Sequence, residues 1–189
     1  MEKTRVTRKT EPSEAIELLS FWFEAGPSKW FAGGDKFDAA CEQFSDLLKK
    51  GREGKLDDWA DTAAGLLALI ILLDQIPRNI QRGSAEQFAS DERAVELAHM
   101  AIERGYDRAY MAPARAFFYM PFMHSEAIED QRLCCDLFRQ TDMKENYHYA
   151  LIHMDAIARF GRFPHRNDML GRDTTAEERA YLQSGGFGA

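Results

Sequence analysis

Nine consecutive residues, Gly65 to Leu73, carry no polar side chain, and Asp74 follows them directly. A helix that is apolar on every side has to be surrounded by other elements. This segment is therefore expected at the centre of the fold. Counted from Ala63, the run is still shorter than the roughly 20 residues a bilayer span requires. The opening Met1-Glu2-Lys3-Thr4-Arg5 leads into no apolar segment, so no secretory signal is expected. A soluble, cytoplasmic chain with no membrane contact is the expectation.

The rest of the chain supplies helices to surround that centre. Ser13 precedes Ile16, Leu19, Trp22 and Phe23 and is expected to cap a helix that stops at Gly26-Pro27. Asp35 opens a stripe of Phe37, Cys41, Phe44 and Leu48, ended by Gly51. Asp57 or Asp58 is expected to begin the central helix, and Pro77 to end it. Ser84 with Gln87 has capping-box spacing, and Ser90 is the expected cap of a helix reaching Gly105. Pro113 and Pro121 bracket the aromatic Phe117-Phe118-Tyr119. Ser125 is read as the cap of a helix lasting to about Thr141, before another from about Lys144 to Phe160. Thr174 with Glu177 caps a last short helix, and the Gly185-Gly186 tail is expected to fray. No stretch alternates with period two. The expected fold is all-α, with about seven to eight helices in antiparallel arrangement and no sheet. Residues 1–12 form a flexible basic arm, and 13–189 one helical domain.

Charge and cysteine usage narrow the function classes. The chain has 24 basic and 31 acidic residues, a formal charge of −7. A duplex nucleic-acid binder normally shows a basic excess, so nucleic acid is not an expected partner. The three cysteines are Cys41 and the adjacent Cys134 and Cys135. No C-x-x-C occurs, so neither a disulfide framework nor a zinc site is expected. Two E-x-x-H pairs, Glu96/His99 and Glu145/His148, have the spacing of di-metal carboxylate bundles. Both fall opposite the apolar arcs of their helices, so no metal and no cofactor is expected. Nucleophile-elbow, P-loop and dinucleotide-binding motifs are absent from the sequence.

Three polar strings remain. In the first, Asp74 stands at a helix C-terminus, where the macrodipole and burial both disfavour a carboxylate. It needs a partner, and Arg78 is one turn away. The pair either locks the turn or orients an arginine toward a ligand. In the second, His124 precedes the helix expected from Ser125. The positive helix end should keep it neutral, either as a structural histidine or as a proton acceptor. In the third, residues 159–172 carry four arginines and one acid. Arginine forks suit carboxylates and phosphates. Here they either build an anion site with His165 and Asn167 or pair with Asp57, Asp58 and Asp61. Asp155 and Arg159 read as a helix-surface pair. His153, at the edge of an apolar arc, is core or pocket wall.

The strings Leu-Asp-Gln-Ile-Pro-Arg-Asn at 73–79, Pro-Phe-Met-His-Ser-Glu at 121–126 and Arg-Phe-Gly-Arg-Phe-Pro-His-Arg-Asn at 159–167, followed by Leu-Gly-Arg at 170–172, resemble a bacterial family known as domain of unknown function 924. Phe21-Trp22-Phe23, Trp30-Phe31 and Leu56-Asp57-Asp58-Trp59 fit it as well. The resemblance covers about residues 14–183. It implies a tetratricopeptide-repeat-like helical array, although the chain itself shows no such repeat pattern. It implies no activity. It does imply a polar signature of Asp74, Gln75, Arg78, Asn79, His124, Glu126, His153, Arg162, His165, Arg166 and Asn167. If the fold gathers these residues, the expectation is a pocket for a small anionic ligand, with acid–base chemistry available. Arg78, Arg162 and Arg166 would hold the anion, and Asn79 and Asn167 would donate to it. His124 and His165 would be acid and base, oriented by Glu126 or Asp74. The alternatives are a helical groove gripping an acidic protein partner and a purely structural network.

Overall fold

The computed structural model describes residues 11–30 and 34–188, so most of the basic arm lies outside the described residues, as does Phe31. The described residues form α-helices and short 3-10 turns with no strand. In order, the helices are α1 (Ser13–Ala25), α2 (Pro27–Trp30), α3 (Asp35–Cys41), α4 (Ser45–Arg52), α5 (Ala63–Asp74), α6 (Ile76–Ile80), α7 (Asp91–Glu103), α8 (Ala116–His124), α9 (Ile128–Arg139), α10 (Lys144–Phe160) and α11 (Ala176–Gln183).

The apolar run takes the central place. Every residue of α5 from Gly65 to Asp74 is buried, and α1, α4, α7 and α8 pack around it. The 18-residue stretch Ala63–Ile80 is long and apolar enough to cross a membrane by length and composition, yet 78% of it is buried inside the protein. Beyond α5 the packing is serial, with α7 on α8, α8 on α9 and α9 on α10.

The central helix starts later than Asp57 or Asp58. Those residues open a 3-10 turn over 57–61, and the cap is Thr62, whose Oγ1 accepts from the Gly65 amide at 3.1 Å. This close turn explains Gly65. A Cβ there would lie 2.2 Å from the Trp59 carbonyl oxygen and 2.9 Å from Thr62 Oγ1. Alanine is the better helix former, but here overpacking dominates. Gly65→Ala is expected to cost about 1–3 kcal/mol. Urea denaturation checks this, and equal or greater stability would contradict it.

Several boundaries differ from expectation for local reasons. The stripe from Asp35 is interrupted by a 3-10 turn at 42–44, which separates α3 from α4. Pro77 occupies the first turn of α6, where no amide donor is missed. Helix α5 therefore ends at Asp74, and a new helix begins after Gln75. Pro121 lies inside α8, flanked by the buried Phe117, Phe118 and Phe122, whose packing carries the helix past the lost hydrogen bond. Helix α9 begins at Ile128, not Ser125. Ser125 Oγ donates instead to Asp130 at 2.6 Å. Ser90 and Ser84 make no side-chain cap. Ser90 Oγ donates to the Leu73 carbonyl at 2.8 Å and so closes the end of α5. The last capping box uses Thr175 and Glu178, one residue beyond Thr174 and Glu177. The tail does not fray. Gly186 N donates to the Tyr181 carbonyl at 2.9 Å and Phe187 N donates to Tyr181 Oη at 3.0 Å. That turn brings Phe187 back onto the body of the protein.

Candidate functional site

The site begins at the end of α5. Asp74 is 1% exposed, so its carboxylate must find its partners inside the protein. Arg78, one turn further on, reaches it at 3.5 Å and also hydrogen-bonds its backbone carbonyl. Gln75 Nε2 donates to Asp74 Oδ2 at 2.5 Å, and His124 Nδ1 lies 2.8 Å from Oδ1. Burial pushes the Asp74 carboxyl up, but His124 and Arg78 outweigh it and hold the group below the usual carboxylate range. His124 is the last residue of α8, at the negative end of that helix. The expected cause of its neutrality, a following helix N-terminus, is therefore absent. Its pKa is lowered instead by burial, then by the Arg78 charge, against the opposing pull of Asp74. With a carboxylate as its neighbour, Nδ1 carries the proton and Nε2 keeps a lone pair.

A second carboxylate ties the first string to the third. Asp91, the first residue of α7, accepts from Arg78 Nη2 at 2.9 Å and from Arg166 Nη1 at 3.2 Å. Arg166 lies between the rings of Phe88 and Phe163, 4.4 and 4.5 Å from their centroids. Its Nη2 donates to the His124 carbonyl at 3.0 Å, satisfying the end of α8. Burial draws its pKa down to about 10 while Asp91 resists, so it stays charged at neutral pH. Stacking on both faces and two fixed acceptors pre-set the fork.

These contacts surround a cavity of about 460 Å³, within the range of small-molecule sites. Gln75, Arg78 and Asn79 of the first string line it, with His124 of the second and His165 and Arg166 of the third. His153 of α10 joins them. The three separate strings therefore meet in one place. Trp30, Phe88, Phe187, Met120 and Met169 supply apolar wall, and Arg82 brings a third guanidinium. Among the described lining residues none is Asp or Glu. The partner carboxylates Asp74, Asp91 and Asp38 stand behind the arginines. Asn79 Oδ1 and Arg166 Nε are buried without a hydrogen-bond partner among the described residues. Such atoms are uncommon in folded proteins, and others in this chain, Trp22 Nε1 and Gln131 Oε1 among them, belong to residues outside the cavity lining.

The other two imidazoles of the wall are also neutral. His153 is held down to about 3, by burial first and then by His124. It lies 2.8 Å through Nδ1 from the Tyr149 carbonyl, to which that nitrogen donates. His165 is held down to about 4 by burial and by the adjacent Arg166. The Phe187 ring covers both, 4.0 Å from His153 and 5.1 Å from His165.

Four signature residues stand outside the lining. Asp74 backs His124. Arg162 grips Glu178 with a fork, Nε to Oε1 at 2.6 Å and Nη2 to Oε2 at 2.9 Å. Asn167, fully buried, donates to the same carboxylate at 3.2 Å. The bond from Arg162, ahead of opposing burial, brings Glu178 down to about 2. Glu126 accepts from Arg172 Nη1 and from the Phe163 amide, each at 2.9 Å. These residues hold the 162–172 segment in place beneath the cavity. The arginines do pair with acids, but not with Asp57, Asp58 or Asp61. Arg159 takes Asp155 on the surface of α10 as expected, and Asp57 pairs with Arg93.

The remaining expectations concern metals and thiols. Glu96, His99, Glu145 and His148 are all exposed, and no metal-ligating cluster occurs among the described residues. The three cysteines are buried and free. Sequence reasoning passed over Asp91, Phe88, Arg82, Met169 and Phe187. Asp91 reads as ordinary helix-start acid chemistry after Ser90, and Phe187 sits in a tail expected to fray.

A family described as a bacterial protein of unknown function (DUF924) matches residues 18–186. A solved structure of a protein of unknown function from Agrobacterium tumefaciens, ATU0120, is 44% identical, with a TM-score of 0.88. That similarity covers 92% of this chain and 98% of the other. No curated protein matches.

Proposed function

The chain belongs to DUF924, a bacterial family of unknown function, and on that premise we propose that its central cavity binds a small anion and performs acid–base chemistry on it. The observation that carries this reading is the composition of the wall, with three guanidiniums, three neutral imidazoles and no carboxylate among the described lining residues. Arg78 and Arg166 are fixed from behind by Asp91, so little ordering is lost when a ligand meets their forks. His124 supplies the reactive group. Its Nε2 lone pair can take a proton from a bound hydroxyl or water, while Nδ1–H stays with Asp74 and the carboxylate stabilises the imidazolium that forms.

Arg82 is the clean probe. Arg166 is wedged between two rings and would take stability with it. The Arg82–Asp38 pair is 55% exposed on the arginine side and is worth less than about 1 kcal/mol. The experiment is a thermal-shift panel of phosphate, sulfate and simple carboxylates at low salt. An anion at about 100 times its Kd should stabilise by about 2.7 kcal/mol, a rise of about 5–11 °C for a chain of this size. Arg82→Ala should melt within a few degrees of the wild type and lose most of that rise. No shift with any anion, or equal shifts in the two proteins, would overturn the proposal.

A further inference from the structure

A second cavity of about 390 Å³ adjoins the first. The two share a wall made of Met120, His124 and His153. The chemistry of the second chamber is different. Pro27, Met123 and Tyr149 line it with Met120, and no arginine or lysine does so among the described residues. Its charged side chain is Glu145, which is exposed and so stands at the rim. An anion is favoured in the first chamber and repelled at the mouth of the second. Apolar surface is favoured in the second.

We propose that the two chambers form one site for an amphipathic organic anion, whose charged head meets the arginines and whose apolar arm enters the Met120–Met123–Tyr149 chamber. This rests on the reading that the arginines hold an anion, and it adds the class of ligand. The shared wall is suited to such a passage. Met120 is an unbranched thioether that repacks easily, and among the described residues its Sδ takes part in one long polar contact, 3.9 Å from Gln75 Nε2. The ligand's polarity is fixed by charge, because reversal would place the head beside Glu145 and the arm among guanidiniums. The junction between head and arm then lies at the shared wall, where the imidazoles of His124 and His153 line both chambers. The Asp74-backed imidazole of His124 thus stands beside the junction of head and arm.

The test is calorimetric titration of the full chain with straight-chain carboxylates from acetate to octanoate, at neutral pH and below their micelle concentrations. Each methylene that enters the chamber should tighten Kd up to about fourfold, until the chamber is full. Asn146→Trp, which fills the second chamber, should flatten that dependence. Tyr149→Ala, at a position 48% exposed, should extend it to longer chains. Thermal melts establish that each variant is folded. Acetate binding without any gain along the wild-type series would overturn this inference and leave the anion site standing. A gain that persists undiminished in Asn146→Trp would place the arm elsewhere and overturn it too. Failure of every carboxylate and of inorganic phosphate to bind would overturn both readings.

Discussion

Asp91→Asn should destabilise the protein by about 3 kcal/mol, near the lower bound for breaking a buried ion pair by removing one partner. The midpoint should fall by about 6–12 °C. One carboxylate, 15% exposed, neutralises two arginines at once. Asparagine keeps the shape but leaves Arg78 with Asp74 alone, and Arg166 with a backbone carbonyl and two aromatic faces. The control is Asp38→Asn, whose Arg82 partner is largely in solvent and whose loss should cost less than about 1 kcal/mol. The damage should be reversible. Phosphate in the cavity replaces the missing negative charge, so the variant should recover more stability from added phosphate than the wild type gains. Chemical denaturation with and without phosphate reads both effects. A loss below 1 kcal/mol would mean that Asp91 does not hold the two forks.

The second large effect is with pH. His153 is held down to about 3 and His165 to about 4, against about 6.5 in an unfolded chain. Between those values the unfolded chain binds protons that the folded chain excludes. Stability therefore rises with pH in this window and is lost as pH falls below about 6.5. By pH 4.5 the two histidines together should remove on the order of 3–5 kcal/mol. Asp74 acts later. Its folded pKa is depressed, so its contribution is full above about 4 and disappears only as pH falls through its own lower value. Acid unfolding should begin in the histidine range, ahead of the carboxylates. His153→Phe keeps an aromatic ring against Phe187 and should lower the slope of stability between pH 6 and 4.5 without abolishing it, since His124 and His165 are also held below the usual histidine range. Stability that is flat from pH 7 to 5 would contradict the burial of these imidazoles.

What the sequence makes legible follows the range of the interactions. The central helix is legible because a run with no polar side chain has a single place to go. The Asp74–Arg78 pair is legible because it spans one helical turn, and so is the Asp155–Arg159 pair on the surface of α10. Family resemblance names the polar signature, but its meeting in one cavity depends on tertiary packing. His124 comes to Asp74 only because α8 ends beside the end of α5. Local rules mislead where a distant group takes over. Ser90 looks like a cap for α7 but serves the last turn of α5. Pro121 looks like a helix end but is held inside α8 by buried aromatic neighbours. The arginines of 159–172 show their charge in the sequence. Their partners Glu178, Asp91 and Glu126 lie 16, 75 and 46 residues away, a separation that no local pattern reveals. Phe187 was hidden by its glycine neighbours, which permit the turn that folds it onto His153.

The most direct test of the anion cavity is the phosphate Kd of three proteins measured side by side at low salt: wild type, Arg82→Ala and Asp91→Asn. Arg82→Ala removes a cation from the wall, and Asp91→Asn removes a competing carboxylate from behind it. Opposite changes are expected, because the positive charge freed by Asp91→Asn outweighs the fork ordering it gives up: Asp91→Asn tightest, wild type between and Arg82→Ala weakest. A network that only stabilises the fold would give no phosphate binding in any of the three, and one common Kd for all of them would place the anion outside this cavity.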